Sequence, residues 1–152
     1  MVEGLIERLD RHPERGRRLH VIDRPADHEL HHCYRRAAAL LFPSLGEGFG
    51  LPLIEAAHFG TPILASDLPV LREVAGDHAH YFDPTRADSI AEAIERWLSE
   101  CDAGQAASSR SIATLSWEQS AEQLLESVLD GRWYRTLSRA ASGCQTTAVQ
   151  SA

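Results

Sequence analysis

The chain has 152 residues, 22 acidic and 15 basic, with a formal charge of −7 and 43% apolar residues. That is the size of one ordinary domain, with enough apolar side chains for a core and too many for a disordered chain. The acidic balance argues against a general nucleic-acid binder, which carries a basic face, and no stretch approaches the ~20 apolar residues that cross a bilayer.

Every basic residue is arginine, so chemistry that needs a lysine from these residues is excluded. The start, Met1 to Asp10, reads as an amphipathic helix rather than a secretory leader, which predicts a cytoplasmic protein. Cys33, Cys101 and Cys144 are odd in number and far apart, and they read as reduced thiols. His28, His31, His32 and Cys33 cluster, but without an H-E-x-x-H pattern they read as a solvated helix face, and no metal site is expected.

Leu19 to Ile22 is a short β-type run. Asp27 can cap a helix whose apolar face is Leu30, Cys33, Tyr34 and Ala37. Ala39 to Phe42 is a second strand, apolar on both faces as in a covered parallel sheet. A glycine-rich loop, Gly46 to Gly50, leads into a helix with Pro52 at its start and Gly60 as a left-handed stop. Pro62 to Ala65 is a third strand, Val70 to Ala75 a short helix and His80 to Phe82 a fourth strand.

A helix over Asp88 to Leu98 turns Ile90, Ile94, Trp97 and Leu98 inward, and residues 102 to 114 read as helical. Ser116 and Gln119 form a capping box for a last helix that buries Ala121, Leu124, Leu125, Val128 and Leu129. The Ser- and Thr-rich tail reads as disordered, which gives one α/β domain over residues 1–135 and a tail over 136–152. Strand–helix alternation at this spacing implies βαβ units and a parallel sheet, with ligands at the carboxyl ends of its strands.

The loop after the second strand lies at such an end. Gly46, Gly48 and Gly50 permit unusual φ and leave backbone amides bare. The helix that follows offers free N–H groups and the positive end of its dipole, which together suit a phosphate or pyrophosphate. The spacing is neither G-x-G-x-x-G nor a P-loop, so an NAD-binding domain is a poor fit. Glu47 and Glu55, with seven residues between them, bracket the loop. An ionised carboxylate accepts two hydrogen bonds side by side, which matches the vicinal hydroxyls of a sugar or ribose. Diphosphate-binding amides between two such carboxylates suit a nucleoside diphosphate sugar.

The run from Phe42 to Asp67, FPSLGEGFGLPLIEAAHFGTPILASD, resembles the donor-binding motif of retaining glycosyltransferase family 4, the glycosyl transferases group 1. The resemblance continues through ADHELHHCYRRA, from Ala26 to Ala37, through Pro69 to Pro84 and the helix from Asp88, and into Ser116-Trp117. It implies a GT-B enzyme of two facing Rossmann-like domains, of which this chain is the C-terminal, donor-binding one.

It also implies a metal-independent transfer of a hexose, with retention at the anomeric carbon, to a glycan or lipid-linked acceptor. No cofactor is implied beyond the nucleoside diphosphate sugar itself. By the same resemblance Glu47 stands beside the donor hexose as the catalytic carboxylate and Glu55 takes the ribose hydroxyls. Ser44 and the amides of Gly48, Phe49, Gly50 and Leu51 meet sugar and phosphate, and Asp23 and Arg24 lie near the base.

The family also carries an acceptor domain and a strand–loop–helix whose Arg and Lys neutralise the diphosphate, and these residues include neither. The N-terminal strands of the donor domain are therefore expected to be missing and its sheet to have an open edge. A further expectation is that the chain transfers nothing alone, because cations at the departing diphosphate are a large catalytic contribution. A polypeptide supplying the other half is an expected partner, and the inner membrane face a possible place of work. The rival readings are a non-catalytic sugar-nucleotide-binding or complementing subunit and, less well matched to E-G-F-G-L-P, a nucleotide-sugar epimerase or glycogen-type synthase.

Overall fold

The computed structural model describes residues 2–129. The chain divides into two compact units, the first ending at Thr114 and the second beginning at Leu115. The expected boundary at residues 135 and 136, the expected tail and Cys144 lie outside the described residues.

The first unit is an α/β fold on a parallel sheet of three strands in the order β1-β2-β3. The strands are β1 (Leu40–Phe42), β2 (Ile63–Ser66) and β3 (His80–Phe82). Leu40 stands opposite Ile63, and Leu64 opposite His80. The helices of this unit are α1 (Val2–Asp10), α2 (Asp27–Arg36), α3 (Leu51–Phe59), α4 (Pro69–Ala75) and α5 (Ala87–Asp102).

All four residues of β2 are buried, which follows from its central place and the cover on both faces. Ile63 and Ala65 pack with Leu53, Ala56, Leu71 and Ala75 of α3 and α4. Leu64, on the opposite face, packs with Phe82 of β3 and with Ala93 and Trp97 of α5. Each large side chain so buried contributes roughly 1.5–3 kcal/mol. The short strands are thus held by the helices that sandwich them more than by their own ladders.

Local rules explain most helix ends. Gly60 stops α3 at φ 72, a left-handed backbone that a Cβ disfavours. Gly104, at φ 68, follows α5 and donates its N–H to the Cys101 carbonyl, 3.0 Å away. Ala26, not Asp27, occupies the cap of α2, and Glu29 reaches back to accept from the Ala26 N–H at 2.9 Å. The second unit's described helix, α6 (Trp117–Leu129), opens on the expected capping box. The Gln119 N–H donates to Ser116 Oγ at 3.1 Å, and the Ser116 N–H to Gln119 Oε1 at 2.8 Å.

Several expectations fail. The run from Leu19 to Ile22 forms no strand; only an isolated bridge joins Arg15 and Leu19. Val21 and Ile22 are more than half exposed, so β propensity there has neither ladder nor packing to sustain it. Residues 102 to 114 form no continuing helix but an irregular path with a single 3-10 turn, Ser109–Ser111. Gly104, at φ 68, lies just past the end of the helix, and a left-handed residue does not continue one. Leu98 is half-exposed rather than inward, and no residue of α6 is buried. Cys33 is exposed, turned off the face that buries Tyr34.

Candidate functional site

The carboxyl end of β1 leads through Pro43 and Ser44 into the glycine-rich loop, which α3 ends. Gly50 is the cap of α3, and its φ of 90 and ψ of 46 lie in the left-handed region. A Cβ added there would also stand 2.5 Å from Leu71 Cδ2, so the position excludes side chains twice over. Gly46 and Gly48 differ: neither has a positive φ, and a Cβ at either meets nothing within 4 Å. The expected freedom of φ is therefore needed only at Gly50, while the other two keep the loop bare and open.

No side chain caps α3. The Leu53 N–H turns back to the Gly50 carbonyl at 3.0 Å, and Pro52 has no N–H to offer. The amides of Gly48, Phe49, Gly50 and Leu51 donate to no carbonyl in the loop contacts among the described residues. Phe49 and Leu51 point their side chains into solvent. What remains is a run of amides at the positive end of a helix, the arrangement that holds anions.

Both carboxylates are held from outside α3. Ser44 Oγ lies 2.8 Å from Glu47 Oε1 and 3.0 Å from the Gly46 carbonyl, so one hydroxyl hydrogen is shared between them and curls the loop around Glu47. Tyr34 donates its hydroxyl to Glu55 Oε2 at 2.8 Å. Glu55 is in the second turn of α3, beyond the first-turn amides, so Tyr34 rather than the helix dipole orients it. One oxygen is thus engaged, and the other remains for a ligand. Tyr34 is itself fixed: it is buried, stacks on Phe59 with ring centroids 5.8 Å apart, and its carbonyl accepts from Thr61 Oγ1 at 2.7 Å. Asp23 and Arg24 lie in an exposed turn, Arg24 at φ 51, and take no part in either pair.

Burial, and then the hydrogen bond to Glu55, push the Tyr34 phenol well above its ordinary value of ~10. A raised folded-state pKa contributes stability that is complete below the unfolded value and is lost as pH rises toward the folded one. We therefore expect stability to fall above about pH 10, and Tyr34→Phe to flatten that slope. At neutral pH the same variant is expected to cost about 1 kcal/mol, the net worth of one hydrogen bond. Urea unfolding from pH 7 to 11 measures both; equal slopes for the two proteins would refute the assignment.

Three residues separated in sequence meet near the carboxyl ends of β2 and β3. Asp67 follows β2 and receives both a Nε and a Nη2 bond from Arg72 of α4, the latter at 2.9 Å. These bonds hold the Asp67 carboxyl below the ordinary carboxylate range. The Arg72 guanidinium also lies over the Tyr81 ring, 4.3 Å from its centroid. His31, from the histidine cluster on α2, packs against Phe59 with centroids 5.2 Å apart. Among the described residues no helix is long and apolar enough to cross a membrane.

The family model described as glycosyl transferases group 1 matches residues 6–114. The chain belongs to the group 1 glycosyltransferases. The serotype-specific mannosyltransferase WbdA of Escherichia coli is 42% identical over 127 residues, which is 84% of this chain and 16% of that protein. The O-antigen chain mannosyltransferase B of Escherichia coli is 34% identical over 102 residues, 65% of this chain and 27% of its own.

Among solved structures, sucrose-phosphate synthase from Thermosynechococcus elongatus superposes with a TM-score of 0.62 at 25% identity, over 86% of this chain and 34% of that one. The chain thus spans about a sixth of the length of WbdA. The loop from Ser44 to Leu51 and both carboxylates fall inside the matched family segment.

Proposed function

We propose that this chain is the donor-binding, C-terminal part of a retaining GT-B glycosyltransferase that takes a hexose, by likeness to its relatives mannose, from a nucleoside diphosphate sugar. The observation that carries the reading is the bare turn from Gly48 to Leu51 at a helix start, set between Glu47 on Ser44 and Glu55 on Tyr34. On this reading the amides of Gly48, Phe49, Gly50 and Leu51 receive the diphosphate and the neighbouring sugar oxygens. Glu55 receives the ribose hydroxyls through the oxygen that Tyr34 leaves free. Glu47 borders the hexose as the catalytic carboxylate, Ser44 orients it, and Asp23 and Arg24 border the base. The reaction uses no metal, because the amides and the helix dipole carry the anion.

The acceptor, a growing glycan or lipid-linked chain, meets the donor on a facing domain supplied by further polypeptide, consistent with the greater length of the relatives. The edge of β1 away from β2 has no strand beside it among the described residues, and that polypeptide would pair there. The enzyme would work at the inner face of the membrane, where lipid-linked acceptors are presented. Residues 1–152 alone bind donor weakly and transfer nothing, for want of cations at the departing diphosphate.

Calorimetric titration with GDP- and UDP-linked hexoses, and a transfer assay on a panel of acceptors, test the proposal together. Weak saturable binding without transfer is the expected pair of results. Absence of binding to any sugar nucleotide would refute the donor site, and clear transfer by the purified chain would refute its incompleteness.

A further inference from the structure

The floor beneath the bare turn is α4, through Leu71. Leu71 is fully buried, and its Cδ2 fills the space that a Gly50 side chain would need. The helix carrying it is short, seven residues, and it has no side-chain cap. Leu71 and Ala75 seat its inner face in the core, and a bridge spans its exposed side. Arg72, the next residue, grips Asp67 with two nitrogens and lies over the Tyr81 ring, 4.3 Å from its centroid. The Tyr81 hydroxyl then turns back to the same helix, 2.8 Å from the Gly76 carbonyl and 3.3 Å from the Leu71 carbonyl. The bridge runs from the end of β2, through a guanidinium and an aromatic ring of β3, to both the middle and the end of α4.

We infer that Arg72 is a positioning residue: by tying Asp67 and Tyr81 together it fixes α4, and through Leu71 it fixes the turn at Gly50 and the amides around it. A planar, five-donor guanidinium does this because it can fork onto a carboxylate and stack on a ring at once, which an ammonium cannot. The bridge is exposed, and exposed ion pairs add little to global stability. Its effect should therefore be local, on the order of the turn, and not on the melting of the whole fold. The consequence for ligand affinity rests on the donor-binding reading above; the consequence for the turn does not.

The test uses the ligand-free chain first. Backbone ¹⁵N order parameters at Gly50 and Leu51 are expected to be those of ordered backbone, roughly 0.85, in the parent chain and to fall below about 0.6 in Arg72→Ala. Leu64 and Ala65 in β2 should keep their values, and the melting temperature should move by only about 2 °C. Arg72→Lys should give intermediate order, since it keeps the charge and loses the fork. Tyr81→Phe, which keeps the ring and loses the hydroxyl, should also loosen Gly50.

Unchanged order at Gly50 and Leu51 in Arg72→Ala would overturn the inference, as would an equal loss of order in β2. Titration with a nucleoside diphosphate hexose then follows, with affinity expected to drop about five- to ten-fold in Arg72→Ala. If the turn loosens while the parent chain binds no sugar nucleotide, the positioning role stands and the donor reading falls.

Discussion

Replacing Gly50 with alanine is expected to destabilise the chain by about 2–5 kcal/mol, combining a left-handed backbone that a Cβ disfavours with overpacking against a filled core. Two independent features produce that cost: the φ of 90, and the Leu71 methyl standing 2.5 Å from the new Cβ. They can be separated. Leu71→Ala alone should cost about 2–5 kcal/mol as a cavity, but in the double variant the vacated space accepts the Gly50→Ala methyl. The two changes should then sum to about 1–2 kcal/mol less than their separate costs, with the backbone strain left over. Urea unfolding of the four proteins closes the cycle. Strict additivity would mean that Gly50 and Leu71 are not in contact.

The second large effect falls on binding. Glu55→Ala should lower the affinity for a nucleoside diphosphate hexose about 100-fold, because two charge-assisted hydrogen bonds of roughly 1.5 kcal/mol each are lost. The fold should lose about 1 kcal/mol or a little more, since Glu55 is exposed but its loss leaves the buried Tyr34 hydroxyl without its acceptor. Calorimetry on the folded variant measures the drop. An affinity equal to that of the parent would remove Glu55 from the site and leave Tyr34–Glu55 as a fastening between α2 and α3.

Much of this site is legible in the residue order, and the reasons are local. An apolar run, three glycines, a proline and a fourth glycine ten residues after Gly50 define the strand, the turn and both ends of α3, because each signal acts over a few residues. Gly60 at φ 72 and Gly50 at φ 90 stand where backbone chirality demands glycine. The sequence resemblance adds membership of the group 1 glycosyltransferases, which the match over residues 6–114 bears out.

What spacing could not reveal lies across the fold. Tyr34 reads as one more apolar position of α2, and only the packing of α2 on α3 brings its hydroxyl to Glu55, 21 residues away. Arg72, Asp67 and Tyr81 meet for the same reason, since parallel strands place the ends of β2 and β3 side by side. The misread strand at Leu19 to Ile22 shows the converse: apolar, β-branched residues stay irregular where nothing is beside them to pair with or bury them.

The central claim is that backbone amides between Glu47 and Glu55 receive an anionic sugar nucleotide. Amide-resolved NMR titration of the isotope-labelled chain with a nucleoside diphosphate mannose tests it most directly. Saturable shifts concentrated at Gly48, Phe49, Gly50 and Leu51, with smaller ones at Glu47 and Glu55, are the expected result. Shifts confined to the arginine-bearing segment around α1, or none at all at saturating concentration, would contradict it.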